Sequence, residues 1–170
     1  MPSRNYILKV CLLGDGAVGK TSLVHRYVYD VFDDKYIMSF GTKVSKKTVE
    51  LPEAKVDLMI WDILGQKTHE ALHGAYYRGA VGALAVCDLT RRPTMESLAS
   101  WVSGFRGVAG EVPVVILANK SDLPKSYSLE EVRVFASTVG CDVLETSAKS
   151  GANVEAAFSG LTSKMLEASK

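Results

Sequence analysis

Residues Gly14-Asp15-Gly16-Ala17-Val18-Gly19-Lys20-Thr21 lie between an apolar run, Tyr6 to Leu13, and a helical pattern, Lys20 to Tyr29. They satisfy G-x-x-x-x-G-K-[ST] in the strand-to-helix context that gives the pattern meaning. Backbone N–H groups of such a loop and of the helix start point at bound phosphates, and glycine permits the close approach and unusual dihedrals of the wrap. Lys20 would lie along the terminal phosphates as a point charge, and Thr21 would offer its hydroxyl to Mg²⁺. At average residue usage the bare pattern arises by chance in roughly one chain of this length in several hundred, and its context makes it rarer.

Further short apolar runs read as buried strands: Val56 to Asp62, Ala80 to Asp88, Val112 to Asn119 and Asp142 to Glu145. Helical patterns separate them. Met95 to Val108 carries Leu98, Trp101, Val102 and Phe105 on one face, Ser128 opens a helix with Glu131 three residues on as a capping box, and a last helix starts near Asn153. Its Val154, Ala157, Phe158, Leu161 and Met165 form a core-facing stripe. Thr42 to Leu51 and Ala54 to Ile60 are two extended runs joined by Leu51-Pro52-Glu53-Ala54, which reads as a hairpin with a solvated, lysine-bearing edge. The expected fold is a single α/β domain spanning residues 1–170. Its sheet is six-stranded and mostly parallel, with one antiparallel edge strand and helices on both faces. Such sheets bind ligands beyond the carboxyl ends of their strands.

With 20 Lys plus Arg against 19 Asp plus Glu, the net charge is +1, so no strong overall field draws in nucleic acid or an anionic membrane, and phosphate affinity must be local. Cys11 and Cys87 sit inside apolar runs and no paired metal-ligand spacing accompanies Cys141, so the thiols read as reduced, small hydrophobes of a cytoplasmic chain. No apolar stretch is long enough to span a bilayer. The last residues, Ser163 to Lys170, offer no cysteine for prenylation, and Pro2 stands where myristoylation needs glycine. The expectation is no direct membrane anchor in this chain, with membrane association left to a missing tail or an adaptor.

Two further motifs complete a site. Leu58 to Asp62 is an apolar strand ending in a carboxylate; alone, Asp62 reads equally as a turn-capping residue, but after a phosphate loop and before Gly65 it becomes a candidate Mg²⁺ partner. Asn119-Lys120-Ser121-Asp122 follows the apolar run VPVVILA, where an amide and a carboxylate can read a base edge. Guanine is the base whose adjacent ring N–H and amino group donate together to one carboxylate. With WDILGQ at Trp61 to Gln66, YYRGA at Tyr76 to Ala80 and ETSAK at Glu145 to Lys149, the chain resembles a Ras-superfamily small GTPase over nearly its whole length, closest to the Rab and Ras branches.

That resemblance implies a slow GTP hydrolase and molecular switch that binds GTP and GDP with Mg²⁺. Asp15, Gly16, Ala17, Val18 and Gly19, with Lys20, Thr21 and Ser22, would hold the phosphates, and Thr21, Ser39 and Asp62 would surround the metal. Asn119 and Asp122 would bind guanine, Lys120 would pack on it, Ser147, Ala148 and Lys149 would complete the pocket, and Phe32 would cover its other side. Gln66 matches the residue that orients the attacking water, Gly65 the glycine that meets the γ-phosphate, and Gly16 a position where a side chain would crowd Gln66. No arginine sits in a recognisable catalytic insertion, so full rate is expected to need an activating protein, worth roughly 10³–10⁵ in rate. Exchange factor, activating protein and effectors would dock through residues 32–43 and 63–78 of a monomer that binds no nucleic acid.

The chain departs from the pattern in both switches. Ser39 stands where a threonine is usual; without the β-branch, the first switch is expected to close less completely on GTP. Ile63-Leu64 replaces Thr-Ala before Gly65, and two readings follow: Leu64 packs in a modified hydrophobic seat, or it displaces Gln66 and slows hydrolysis, leaving a nucleotide-binding module used as a scaffold. Lys67 and His69 also differ from the usual acid and aromatic; His69 reads as a solvated surface residue able to alter which regulators dock.

Overall fold

Period-two alternation along the strands divides the interior into two layers, one on each face of a single sheet. In a computed structural model, which describes residues 4–30, 41–64 and 70–169, the strands are β1 (Arg4–Leu13), β2 (Gly41–Glu50), β3 (Ala54–Leu64), β4 (Gly82–Asp88), β5 (Val114–Asn119) and β6 (Asp142–Glu145). Their order is β2-β3-β1-β4-β5-β6, all parallel except β2, which pairs antiparallel with β3 at the edge. Leu8, Val10 and Leu12 of β1 face one layer with Leu58, Ile60, Leu84 and Val86, while Cys11 and Leu13 face the other with Ala83, Ala85 and Cys87.

Helices α1 (Lys20–Tyr29) and α6 (Val154–Ala168) cover the first face. Tyr27 of α1 stacks on Phe158 of α6 with ring centroids 4.0 Å apart and planes 3° from parallel. The second face carries α2 (Glu70–Tyr77), α4 (Leu98–Ala109) and α5 (Leu129–Thr138), with the short α3 (Arg92–Glu96) leading into α4. Phe105, Phe158 and Leu98 are among the largest fully buried side chains, each contributing about 1.5–3 kcal/mol of transfer free energy. Cys11 and Cys87 are buried free thiols, and burial raises the Cys11 pKa to about 12, so its weakly donating Sγ–H stays protonated.

The hairpin forms as expected: Leu51 and Ala54 exchange backbone hydrogen bonds across the turn. The solvated-edge reading holds for Lys43 and Lys46 but not for the whole strand. Ser45 is buried and Lys47 half-buried on the face that α1 covers, with the Lys47 ammonium 5.4 Å from the Tyr27 ring, whereas Val44 is the exposed apolar residue. The capping box is present: Ser128 Oγ accepts from the Glu131 N–H, and the Glu131 carboxylate accepts from the Ser128 N–H.

Several boundaries move, among them the start of β1, two residues earlier at Arg4, and the end of β3, two residues later at Leu64. The pattern read as one helix from Met95 is two, α3 and α4, which meet at Ser97, the C-cap of one and the N-cap of the other. Strand β4 starts at Gly82, since Tyr77 to Val81 form the turn that delivers it, and β5 starts at Val114, after Pro113. Helix α2 escapes sequence reading because Gly74 and the adjacent Tyr76 and Tyr77 weaken its helical signal; both tyrosines are nevertheless buried, Tyr77 against Phe105 of α4 and Tyr76 against Trp61 of β3. No helix among the described residues is long and apolar enough to cross a membrane.

Candidate functional site

Four parallel strands deliver polar groups to one end of the sheet: β1 runs into Gly14, β3 carries Asp62, β4 ends at Asp88 and β5 at Asn119. Here the connections after β1 and β4 leave for opposite faces, which opens a crevice between them. Gly14 leads in at φ +136°, and a Cβ there would stand 2.4 Å from the Val86 carbonyl oxygen. Gly19 closes the loop at φ +102°, with the Asn119 amide nitrogen 2.3 Å from where a Cβ would be. Both positions require glycine for room as well as for dihedral.

Five successive carbonyls of the loop accept hydrogen bonds from side chains. Lys20 Nζ donates to Gly14 O (2.7 Å) and Asp15 O (2.9 Å). Arg91 Nη2 donates to Gly16 O (2.9 Å), Lys120 Nζ to Ala17 O (2.9 Å) and Asn119 Nδ2 to Val18 O (2.9 Å). A planar trans peptide points its N–H opposite to its carbonyl. Fixing the carbonyls of residues 14–18 therefore turns the N–H groups of Asp15 to Gly19 the other way, and none of these donates to another described residue. Ala17, at φ 62°, supplies the left-handed step that such a concave run of donors needs.

Lys20 is buried, and desolvation lowers its pKa against the opposing fields of Asp62 and Asp15, so an arriving anion would favour its charged form. Thr21 Oγ1 donates to Asp62 Oδ2 at 2.6 Å. Asp62 is 2% exposed; burial raises its carboxyl pKa, opposed by the Thr21 bond and then by Lys20. Its other oxygen, Oδ1, is buried with no hydrogen-bond partner among the described residues. A hydroxyl and a carboxylate with a free lone pair, beside a phosphate cradle, suit Mg²⁺, which uses one or two carboxylates together with substrate phosphates and water rather than an all-protein cage.

The second half of the crevice is cross-tied. Asn119 Oδ1 accepts from Thr146 Oγ1 (3.1 Å), so one buried amide joins the phosphate loop to the segment after β6. Ser147 Oγ donates to Asp122 Oδ1 (2.8 Å), orienting an exposed carboxylate toward the crevice mouth. Arg26 of α1 donates to Ala148 O (2.8 Å) and Lys149 O (2.5 Å), fixing that segment from the opposite side. Ser22 occupies the first turn of α1. Phe32, Ser39, Gly65 and Gln66 lie outside the described residues, as do Lys67 and His69.

The pattern of the Ras family matches residues 9–167. The chain belongs to the Ras family. It is 39% identical over 158 residues to the Ras-related protein RABA4a of Arabidopsis thaliana, covering 91% of this chain and 70% of that protein. It is 38% identical over 167 residues to human Ras-related protein Rab-21, covering 96% and 74%, and 37% identical to Arabidopsis RABA6b over 96% and 72%. Members of the family are GTPases that bind GTP, GDP and Mg²⁺. The six-stranded sheet, five strands parallel and one antiparallel at the edge, is the architecture expected of a Ras-like P-loop domain.

Several residues of this crevice escaped sequence reading. Asp88 carries the same signal as Asp62, an apolar strand ending in Asp. Arg91, Trp101 and Arg26 carry none; Trp101 reads as a core residue, yet its Nε1 donates to Asp15 Oδ1 at 2.9 Å. Burial would raise the Asp88 carboxyl, but hydrogen bonds from Lys120, Thr90 and Arg91 outweigh it and hold the group below the usual carboxylate range. Its contribution to stability is therefore present above that range and is lost as pH falls through the lowered value.

Proposed function

We propose that residues 1–170 form a single GTPase domain that binds GTP and GDP with Mg²⁺, hydrolyses GTP slowly and acts as a switch toward other proteins. The observation that carries this reading is the run of five fixed carbonyls, which leaves the N–H groups of Asp15 to Gly19 as a concave set of donors at the start of α1. Lys20 balances phosphate charge, and Thr21 and Asp62 Oδ1 would hold Mg²⁺. Bound there, Mg²⁺ would offset negative charge on the phosphate oxygens. Asp122, oriented by Ser147, accepts from the two adjacent donors of guanine; adenine presents a ring acceptor at the corresponding position, so the carboxylate would meet a lone pair. Asn119 and Lys120 tie base loop to phosphate loop. Ser147, Ala148 and Lys149 line the base side, with Phe32 covering it.

In the hydrolytic step Gln66 orients the water and Gly65 meets the γ-phosphate, so the chain's task is positioning and charge stabilisation. Residues 32–43, including Ser39, and 63–78 would change with the nucleotide and carry the partners. Nucleotide released from the purified protein is expected to be GDP or GTP by HPLC, with a GTP hydrolysis time course that is slow and needs Mg²⁺. Adenine nucleotide would overturn the assignment. A second reading, a module that retains GTP, draws on Leu64, the last residue of β3, whose Cα is held opposite Gly41. Single-turnover hydrolysis by Leu64→Ala decides it: an unchanged rate places Leu64 in a passive seat, and a faster rate shows that it hinders Gln66.

A further inference from the structure

Asp88, buried at the end of β4, is bonded on both oxygens. Its Oδ1 accepts from the Thr90 N–H (2.8 Å) and hydroxyl (2.7 Å), while its Oδ2 accepts from Arg91 Nε (3.1 Å) and Lys120 Nζ (2.9 Å). Both cations on Oδ2 also hold the phosphate loop, Arg91 at Gly16 O and Lys120 at Ala17 O. One carboxylate thus orients two of the three side chains that draw successive loop carbonyls toward β4 and β5. The Arg91 guanidinium reaches the carboxylate with Nε and the carbonyl with Nη2, two nitrogens fixed in one plane, whereas Lys120 bridges Asp88 and Ala17 O with a single ammonium from its own place after β5.

We propose that Asp88 and Arg91 are positioning residues that set how long the site retains nucleotide: Asp88 locks Arg91 and Lys120 onto the Gly16 and Ala17 carbonyls and so keeps the loop N–H groups aimed at phosphate. Neither residue belongs to the phosphate or base motifs, and the inference rests on the nucleotide-binding reading above. Without Arg91 the Gly16–Ala17 peptide loses its side-chain tether and is free to rotate its N–H away from the ligand. The loss falls on dissociation rather than association, because encounter does not require the loop to be held.

The test is displacement of fluorescent mant-GDP from the full chain in Mg²⁺, for wild type, Arg91→Ala, Arg91→Lys, Asp88→Asn and the double variant Asp88→Asn/Arg91→Ala. Arg91→Ala is expected to release mant-GDP about tenfold faster, the scale of one charge-assisted hydrogen bond. Asp88→Asn is expected to be at least as fast, and the double variant no faster than Asp88→Asn, since Arg91 acts through Asp88; independent packing effects would multiply instead. Arg91→Lys is expected to remain severalfold faster than wild type, because the lysine nitrogen ends one bond short of the position from which Nη2 meets the Gly16 carbonyl. Full rescue by lysine, multiplicative rates, or unchanged dissociation in Arg91→Ala each overturns the inference while wild type still binds. Failure of wild type to bind mant-GDP overturns the nucleotide reading and this inference with it. Arg91 is half exposed, so Arg91→Ala and Arg91→Lys leave the core intact even if Asp88→Asn does not fold.

Discussion

Gly14→Ala is expected to lower folding stability by about 3–5 kcal/mol, a large part of the roughly 5–15 kcal/mol that a domain of this kind possesses. Two independent costs combine. At φ +136° an alanine is strained, and its Cβ would stand 2.4 Å from the Val86 carbonyl oxygen, which is backbone inside the buried strand β4 and cannot yield as a side-chain tip would. Relief requires β1 and β4 to separate at the point where they deliver the phosphate loop, so the nucleotide site should fail with the fold. Gly16→Ala is the control: its Cβ meets nothing within 4 Å among the described residues and its φ is not positive. Urea unfolding should show a much lower midpoint with unchanged slope for Gly14→Ala and almost no shift for Gly16→Ala. Equal midpoints would show that β4 accommodates the methyl group.

The contrast between these two glycines shows what the sequence could and could not disclose. Gly14, Gly19, Lys20 and Thr21 are recognisable because the chemistry of wrapping a phosphate restricts residue type at fixed spacing. Asn119 and Asp122 are recognisable because a base edge demands an amide and a carboxylate after a strand. The same motif does not reveal what holds it in place. Arg91, Trp101 and Arg26 reach the site by long side chains from three different helical regions, and the tertiary approach that brings Arg91 to Gly16 O across 75 residues leaves no local pattern. Strands were legible because burial on both faces produces uninterrupted apolar runs, as in Gly82 to Asp88. Helix α2 was not, because among its described side chains the buried ones are the adjacent Tyr76 and Tyr77 that follow Gly74, a composition that local propensity assigns elsewhere.

Asp62→Asn separates function from stability and decides between the two roles that sequence alone leaves open for this residue. If Asp62 is a metal ligand, loss of its charge should reduce the Mg²⁺-dependent slowing of GDP dissociation by about a hundredfold or more. The nucleotide-free fold should not suffer. Burial is the largest influence on both Asp62 and Lys20, exceeding their mutual attraction, and the two make no direct ion pair. The substituted asparagine would keep an oxygen to accept from Thr21, while the unpartnered carboxylate oxygen, costly at 2% exposure, would be replaced by a neutral amide. Stability of the nucleotide-free protein is therefore expected to be unchanged or higher by about 1 kcal/mol, the exchange of site chemistry for stability seen where buried charge is kept for function. A turn-capping role predicts the opposite pair of results: a loss of about 1–2 kcal/mol in folding and an undiminished response of GDP release to EDTA. Denaturant unfolding after nucleotide removal, together with GDP release measured in Mg²⁺ and in EDTA, distinguishes them in one variant.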